Sequence, residues 1–389
     1  MEEPTPLPQY FTHEHEQFRR SLRDFIAREV TPNVEDWEES GRFPRELYTR
    51  FGEMGFLGVG YPEALGGTPA DAFYNIVIAE EFARCAAGGI QASINSHSIT
   101  VPLLLAAGSP SLQQRLVPKI ISGEWIPALA VTEPSGGSDV AQLRTTAIRE
   151  GDHYIVNGEK TFITSGMRAD VIITAVRIDP AAKGPEGISI LAIDGRTPGL
   201  MRTELQKMGW WCSDTAHLHF DQCRVPISDR VGEEHRGFRA FMHNFNSERL
   251  YLAAFAYASA QVCFDEALDW ARQRKTFGAL LSERQVVRHK LMDMALKIDA
   301  ARSLVHELTW RIQNNSDRPA DLVARICMAK VLATQAMQFC ADQAIQILGG
   351  MGYMRGTKSE RIYREVKVVM IGGGSEEIMK DLAARQFGI

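Results

Sequence analysis

The chain has 389 residues, 45% of them hydrophobic and 23% charged, which is typical of a globular protein large enough for two or three packed subdomains. Its formal net charge of −5 at pH 7 leaves no basic footprint for nucleic acid or an anionic membrane surface. No apolar run approaches the ~18 residues that cross a bilayer. The first residues, MEEPTPLPQYFTHEHE, match neither a secretory signal nor a transit peptide, so we expect a cytoplasmic protein.

The six cysteines are dispersed and form no CxxC pair. This spacing argues against a zinc cluster, an iron–sulfur site or a disulfide framework and favours free thiols in a reducing compartment. His217 and His219 alternate along a predicted strand, but no third ligand has matching spacing. We therefore expect no metal site.

Residues 1–125 form a predicted N-terminal helical domain. Apolar residues recur at helical spacing through Phe18, Leu22, Phe25 and Ile26, and AFYNIVIAEEFARCA predicts a further helix. Prolines and paired glycines punctuate the helices between these two segments.

Residues 126–235 have a different pattern, which predicts a β domain. HYIVNGEKTFIT has two β-prone runs on either side of Asn157–Gly158, a strong hairpin signal. Further strands are predicted at 171–178, 187–193 and 215–220.

Residues 236–389 return to helical spacing, and the segment 238–274 is long enough to be one element of an extended bundle. Two further long helices are predicted, and glycine clusters interrupt the pattern at Gly349–Gly350 and at 372–374. On the residues alone, GGMG at 349–352 is more simply explained as a helix C-cap than as a cofactor loop. No GxGxxG follows a strand and opens a helix, which excludes a Rossmann fold. The fold class is therefore α+β multidomain: helices, a small β domain, then a helical bundle.

Five segments lie in order along the chain: VTEPSGGSDVA (131–141), NGEKTFITSG (157–166), KMG with SDT (207–215), RKTFG (274–278) and QILGGMGY (346–353). This ordered set resembles the acyl-CoA dehydrogenase family over essentially the whole chain. The resemblance implies an N-terminal helical domain, a central β-barrel-like domain and a C-terminal four-helix bundle. It also implies FAD bound between the β domain and the bundle, in a homotetramer built as a pair of dimers.

The resemblance implies which residues contact FAD. They are Val131, Thr132, Ser138, Phe162 and Thr164 in the β domain, and Arg274, Phe277, Gln285, Gln346, Gly349, Gly350 and Glu376 in the bundle. Some of them have a simpler alternative: Ser138 could cap a turn, Phe162 could be plain core, and Arg274 could compensate a helix dipole. Most relatives have tryptophan where this chain has Phe162.

Many relatives have a catalytic glutamate near the C-terminus in a segment resembling YEGTSE. In this chain, residues 371–376 align with that segment, and Gly372 takes the glutamate position. The long-chain and isovaleryl types have a glycine there too and carry the glutamate in a Glu-Arg pair on the long helix. Glu248–Arg249 matches that pair, so the resemblance implies that Glu248 is the general base. By the same resemblance, the backbone N–H of Gly372 holds the thioester oxygen.

Helical spacing supports this prediction independently. The neighbours of Glu248 at three, four and seven positions are Phe241, Asn244, Phe245, Tyr251, Leu252 and Phe255. Burial on such a face raises the pKa of a carboxyl group toward the range useful to a base. On the residues alone, an ion pair of Glu248 with Arg249 or a helix-cap role is about equally plausible.

The predicted function is FAD-dependent α,β-dehydrogenation of a fatty or branched acyl-CoA, with an electron-transfer flavoprotein as acceptor. The expected acyl-CoA contacts are Ser138, Phe245, Asn246, Arg249 and Gly373. Two alternatives remain: an acyl-CoA oxidase that uses oxygen, and a flavin-binding relative without catalysis.

Overall fold

The computed structural model describes residues 9–179, 181–182, 184–316 and 318–389. The first eight residues of the predicted domain 1–125 therefore lie outside the described residues. Three parts follow one another along the chain: helices, a β-sheet, and a bundle of long helices. None of the helices within the described ranges has the length and apolarity that a membrane span requires.

Seven helices form the N-terminal part. They are α1 (His13–Phe25), α2 (Val34–Ser40), α3 (Glu46–Glu53), α4 (Ala72–Ala83), α5 (Gly88–Ile94), α6 (His97–Ala107) and α7 (Pro110–Ile121). The helical spacing predicted for the first segment holds, because Leu22 and Phe25 are buried on one face of α1. Asp71 caps α4 by accepting from the N–H of Phe73, and its carboxylate also contacts the His15 ring on α1 at 2.9 Å.

The middle part is one eight-stranded mixed sheet. Its strands are β1 (Pro127–Ala130), β2 (Thr146–Glu150), β3 (His153–Thr164), β4 (Val171–Arg177), β5 (Ile188–Asp194), β6 (Leu200–Glu204), β7 (Thr215–Pro226) and β8 (Arg230–Val231). The order is β6-β7-β3-β2-β4-β5-β8, and β1 pairs in parallel with β4. The predicted strands at 171–178, 187–193 and 215–220 correspond to β4, β5 and the first half of β7. Both faces of β4 and β5 are buried, which explains their near-continuous apolar runs.

The hairpin predicted at Asn157–Gly158 is wrong. Both residues lie inside β3, where the pairing with β7 shifts register, and the turn that joins β2 to β3 is at 151–152. A Cβ on Gly158 would lie 2.6 Å from the Cα of Thr145. Gly158 is therefore required for a close approach of two backbones, as is usual at a bulge.

Five helices form the C-terminal part: α8 (Gly237–Gln273), α9 (Gln285–Gln313), α10 (Pro319–Leu348), α11 (Lys358–Ile371) and α12 (Glu376–Phe387). The short strands β9 (Lys275–Thr276) and β10 (Ala279–Leu280) form a hairpin between α8 and α9. Helix α8 packs against α9, α10 and α11 within the bundle and against α4 and α6 of the N-terminal part. One apolar core is shared by the N-terminal helices and the bundle, and a second joins α6, α7, β4, β5 and the start of α8.

Candidate active site

Glu248 lies well inside α8, which begins at Gly237, so it does not cap the helix. Its Oε2 atom is shielded from solvent and has no hydrogen-bond partner among the described residues. Burial raises the pKa of this carboxyl group to about 7, although the charges of Arg249 and Lys330 oppose the rise. A carboxylate in this state can accept a proton at neutral pH.

Arg249 does not use its guanidinium on Glu248. Its Nε donates to the carbonyl oxygen of Gly373 at 3.0 Å, and its Nη1 donates to Oδ1 of Asn246 at 3.1 Å. The guanidinium also lies 5.9 Å from the ring centre of Phe245. The two expected substrate residues Asn246 and Arg249 are thus locked to each other and to the turn that follows α11.

That turn contains three consecutive glycines, and two of them, Gly372 and Gly373, have different surroundings. The N–H of Gly372 donates to Val368 at 2.7 Å within α11, and a Cβ on Gly372 would have only the Val368 carbonyl oxygen within 4 Å. A Cβ on Gly373 would lie 4.0 Å from Oε1 of Glu248 and 3.1 Å from Cδ1 of Leu252. Gly373, rather than Gly372, therefore faces the predicted base. The Gly372 N–H, predicted to hold the thioester oxygen, completes the last turn of α11 in this structure.

Three of the β-domain residues assigned to FAD, Val131, Thr132 and Ser138, lie on the loop that follows β1. Val131 is buried, Thr132 is half-buried and Ser138 is exposed, so the polar tip of the loop is free to meet a ligand. Lys160 donates to the Val131 carbonyl at 3.0 Å and to Oε1 of Glu133 at 2.8 Å. The Glu133 carboxylate also accepts two backbone N–H groups at the start of β2. This buried ion pair fixes the loop from beneath.

Phe162 is not part of the core, contrary to the alternative suggested by strand periodicity. Its side chain is 69% exposed, and its backbone has φ +61° at the register shift between β3 and β7. A bulky residue in this region is strained and marks a functional constraint. The ring of Phe162 is exposed and Thr164, two residues later, is half-buried, so both are accessible to a ligand at this position.

Six of the seven bundle residues assigned to FAD lie at one end of the bundle. Arg274, Phe277, Gln285, Gln346, Gly349 and Gly350 are all exposed, and Phe277 is 100% exposed. A hydrogen bond of 2.5 Å from Nζ of Lys290 to Oε1 of Gln343 places the start of α9 beside the end of α10. Added Cβ atoms on Gly349 or Gly350 would meet nothing within 4 Å, so this end offers open space for a ligand.

Glu376 lies apart from Glu248, in the first turn of α12. Its Oε1 accepts from Lys380 at 2.5 Å and from Gln335 at 2.8 Å. The hydrogen bonds from Lys380 and Gln335 lower the pKa of this carboxyl group. Glu376 is thus a paired acid that ties α12 to α10.

A cavity of about 1090 Å³ lies elsewhere, between α1, α4, α8 and α9. Its wall includes Glu80, Tyr257 and His306, and the Tyr257 hydroxyl donates to Glu80 at 2.5 Å. None of the predicted site residues lines it, so its size is no evidence about the chemistry at Glu248.

Comparison with known proteins matches the chain to three family descriptions in order. The acyl-CoA dehydrogenase N-terminal domain matches residues 12–124, the middle domain 128–223 and the C-terminal domain 235–388. The chain belongs to the acyl-CoA dehydrogenase family.

Individual relatives agree along the full length. The long-chain specific acyl-CoA dehydrogenase of Rattus norvegicus mitochondria is 36% identical over 378 residues, which is 97% of this chain and 87% of that protein. A crystal structure of a putative acyl-CoA dehydrogenase from Mycobacterium smegmatis has 44% identity and a TM-score of 0.94, covering 97% of this chain and 99% of that one. A chain solved in a study of the electron transferring flavoprotein of Acidaminococcus fermentans has 30% identity and a TM-score of 0.92, covering 97% and 98%.

This acyl-CoA dehydrogenase is a flavoprotein oxidoreductase that acts on acyl-CoA, and its cofactor is FAD. The predicted fold class is also confirmed: a helical part, a β domain and a helical C-terminal part. The residues present fit the cofactor, because an exposed aromatic wall at Phe162 and an exposed polar loop at Ser138 face solvent from the same domain.

Proposed function

We propose that this acyl-CoA dehydrogenase converts a fatty or branched acyl-CoA to the trans-2-enoyl-CoA, with Glu248 as the base that removes the α-proton. Bound FAD supplies the acceptor, at flavin N5, for the hydride that leaves the β-carbon. The observation that carries the proposal is the Glu248 carboxyl group: its Oε2 is shielded from solvent and has no hydrogen-bond partner among the described residues, and burial raises its pKa to about 7.

The surroundings of Glu248 support this role. A Cβ on Gly373 would lie 4.0 Å from Oε1 of Glu248, so the absence of a side chain keeps the turn from covering this oxygen. A carboxylate that is not engaged by Arg249 keeps its basicity for the substrate. We therefore assign the place beside the base to Gly373 and omit Gly372 from the catalytic groups.

The acyl-CoA contacts proposed are Ser138, Phe245, Asn246, Arg249 and Gly373. Arg249 bridges Asn246 and the Gly373 carbonyl, so it holds the rim of the site while Phe245 supplies an apolar wall. A fatty acyl group is supported by the relative named for long chains.

The proposed cofactor site spans two protomers of a homotetramer. Arg274 follows Glu248 by 26 positions along α8, which separates them by about 39 Å at 1.5 Å per residue. That distance supports a contact of Arg274, Phe277, Gln285, Gln346, Gly349 and Gly350 with the FAD of a neighbouring protomer. The complete exposure of Phe277 in one chain supports a partner at this end of the bundle.

We propose an electron-transfer flavoprotein as the physiological acceptor. The likeness to the chain from the Acidaminococcus fermentans electron transferring flavoprotein study supports this choice. Reduced enzyme should reoxidise slowly in air and rapidly with such a flavoprotein. Peroxide formation that matches turnover would identify an oxidase instead.

The test of the base is Glu248→Gln, mixed anaerobically with a panel of acyl-CoA thioesters while flavin absorbance is followed. Loss of a positioned base removes about 10²–10⁴-fold in rate, so flavin bleaching should nearly stop while FAD and acyl-CoA binding persist. Glu377→Gln, an exposed acid in the first turn of α12, is the matched control and should bleach normally. Reduction of the Glu248→Gln flavin at the wild-type rate would remove Glu248 from the mechanism.

A further inference from the structure

Lys330 is a buried lysine on α10, only 1% exposed, with an unusual set of partners. Its Nζ donates to three backbone carbonyls of the segment after α11: Met370 at 3.1 Å, Gly372 at 2.7 Å and Gly374 at 2.6 Å. An ammonium group has three N–H donors, so these bonds use its full capacity.

The glycines allow this convergence. Gly373 has φ +68° and Gly374 φ +113°, a region that L side chains rarely adopt, and these values accompany a turn in which the alternate carbonyls of Gly372 and Gly374 face α10. The carbonyl between them, on Gly373, faces the other way and accepts from Arg249 on α8. The turn is therefore fastened from both sides, by Lys330 beneath and Arg249 above, with Gly373 held against Glu248.

Carbonyl oxygens give Lys330 hydrogen bonds but no opposite charge. No carboxylate among the described residues forms an ion pair with it, and the groups that act on it electrostatically are Glu248 and Arg249 from α8 and Cys327 from α10. Burial lowers the pKa of Lys330 to about 8, and Glu248 works against that fall. In return, the positive charge of Lys330 favours the ionised form of Glu248.

We propose that Lys330 is a positioning residue for the general base: it holds the triglycine turn in register with Glu248, and its charge favours the ionised form of the Glu248 carboxylate. A residue placed only for stability would need the hydrogen bonds alone, and a neutral donor would serve. The proposal rests on the proposed role of Glu248.

Two substitutions separate the hydrogen bonds from the charge. Lys330→Gln keeps N–H donors and loses the charge, whereas Lys330→Met loses both at similar volume. The flavin-loaded tetramer is mixed anaerobically with a good acyl-CoA substrate from pH 5 to 8.5, and the midpoint of the rate profile is measured. Both variants should shift the midpoint upward by about half a unit to one unit, which slows reduction at pH 7 by about two- to fivefold. Lys297→Met, a half-buried lysine of α9 away from the turn, should leave the midpoint unchanged.

Amide hydrogen exchange of a peptide covering 366–379 reports the positioning without any turnover. Exchange should rise at least tenfold in Lys330→Met and much less in Lys330→Gln. A wild-type midpoint in both variants, or wild-type exchange in the methionine variant, would overturn the inference. If the methionine variant does not fold, the midpoint of the glutamine variant decides. Normal reduction by Glu248→Gln would instead refute the proposed function, so the two failures are distinguishable.

Discussion

Two buried lysines brace the two sides of this site, and they do so in different ways. Lys160, on β3, is paired with Glu133 at 2.8 Å beneath the loop assigned to FAD. Lys330, on α10, binds only backbone carbonyls beneath the turn that faces Glu248. Burial lowers the pKa of each lysine to about 8.

The difference lies in where each positive charge acts. The charge of Lys160 is neutralised by the Glu133 carboxylate in direct contact, so Lys160 contributes little electrostatic potential at the rest of the site. Lys330 has no such partner among the described residues, so its charge extends to Glu248. A buried lysine thus stabilises a loop of the β domain at Lys160 and, by our proposal, favours the ionised form of Glu248 at Lys330.

Removing Lys160 should produce the largest effect on stability. Lys160→Met leaves Glu133, only 5% exposed, as a buried carboxylate without its cation. Breaking a buried pair in this way costs about 3–5 kcal/mol, so the apparent free energy of unfolding in urea should fall by that amount. The midpoint of the pH profile of flavin reduction should stay at the wild-type value, in contrast to the Lys330 variants.

The control is the double variant Lys160→Met with Glu133→Gln, which removes both charges. It should recover about half of the lost stability, because no uncompensated charge remains. If the single and double variants are equally unstable, the ion pair is not what fastens the loop. A shifted pH midpoint in Lys160→Met would erase the contrast between the two lysines.

The pH dependence of the wild-type enzyme tests the bundle side. Glu248 accepts a proton only when ionised, and burial raises its pKa to about 7. Flavin reduction should therefore be fast above pH 7 and slow below it, approaching a tenfold fall per unit at low pH and falling about 50-fold between pH 7 and pH 5. Stopped-flow reduction at saturating acyl-CoA measures the profile. A rate that stays flat down to pH 5 would mean that the base titrates in the ordinary range of a solvated glutamate.

Some of this site could be predicted from the sequence because single elements fix it. One continuous helix determines its own faces, so the apolar neighbours of Glu248 predicted a shielded carboxylate, and α8 has one. The order of the five motifs likewise predicted the three-part architecture, which the family matches confirm.

Other features depend on contacts that leave no mark in the sequence. Gly372, Gly373 and Gly374 are chemically identical, so only the folded turn decides which one lies beside α8, and the Cβ position of Gly373 is the one near Glu248. Asn157–Gly158 has the composition of a turn, but Gly158 lies where the backbone at Thr145 approaches too closely for a side chain. Lys330 stands as a lone lysine in the apolar run ICMAKVLA, yet its partners are carbonyl oxygens some forty positions later, and every residue has a carbonyl.

Moving the carboxylate from position 248 to position 373 tests the proposal that Gly373 lies beside the base. In a Glu248→Gln background, Gly373→Glu should raise the rate of flavin reduction about tenfold. The recovery is partial, since productive proton transfer depends on fine placement of the carboxylate. Recovery is limited because position 373 has φ +68° and its Cβ meets Leu252 at 3.1 Å. Gly372→Glu in the same background is the matched control and should restore nothing, because its Cβ points toward Val368. Greater recovery from position 372 would reinstate the assignment made from the sequence.

The smallest effect is expected at the far end of the bundle, where the groups are exposed. Arg274→Ala should weaken FAD binding about fivefold, because an exposed charged contact is worth about 1 kcal/mol. The loss should grow at low salt and shrink at high salt, where screening already weakens the contact. Arg272→Ala, an equally exposed arginine in the last turn of α8, should retain FAD like wild type.

The FAD dissociation constant by fluorescence and the assembly state by sedimentation should change together in Arg274→Ala, because the proposed contact joins one protomer to the cofactor of another. A heterotetramer of Arg274→Ala and Glu248→Gln chains tests whether the arginine acts on the neighbour's FAD. The Arg274→Ala chain keeps its base, and by the proposal it can receive an intact Arg274 only from a Glu248→Gln neighbour. In such a pair, the FAD contacted by an intact Arg274 lies in the base-competent chain, so the retained FAD should bleach with acyl-CoA. If Arg274 instead served its own protomer, which the length of α8 between it and Glu248 argues against, the retained FAD would lie in the Glu248→Gln chain and would not bleach.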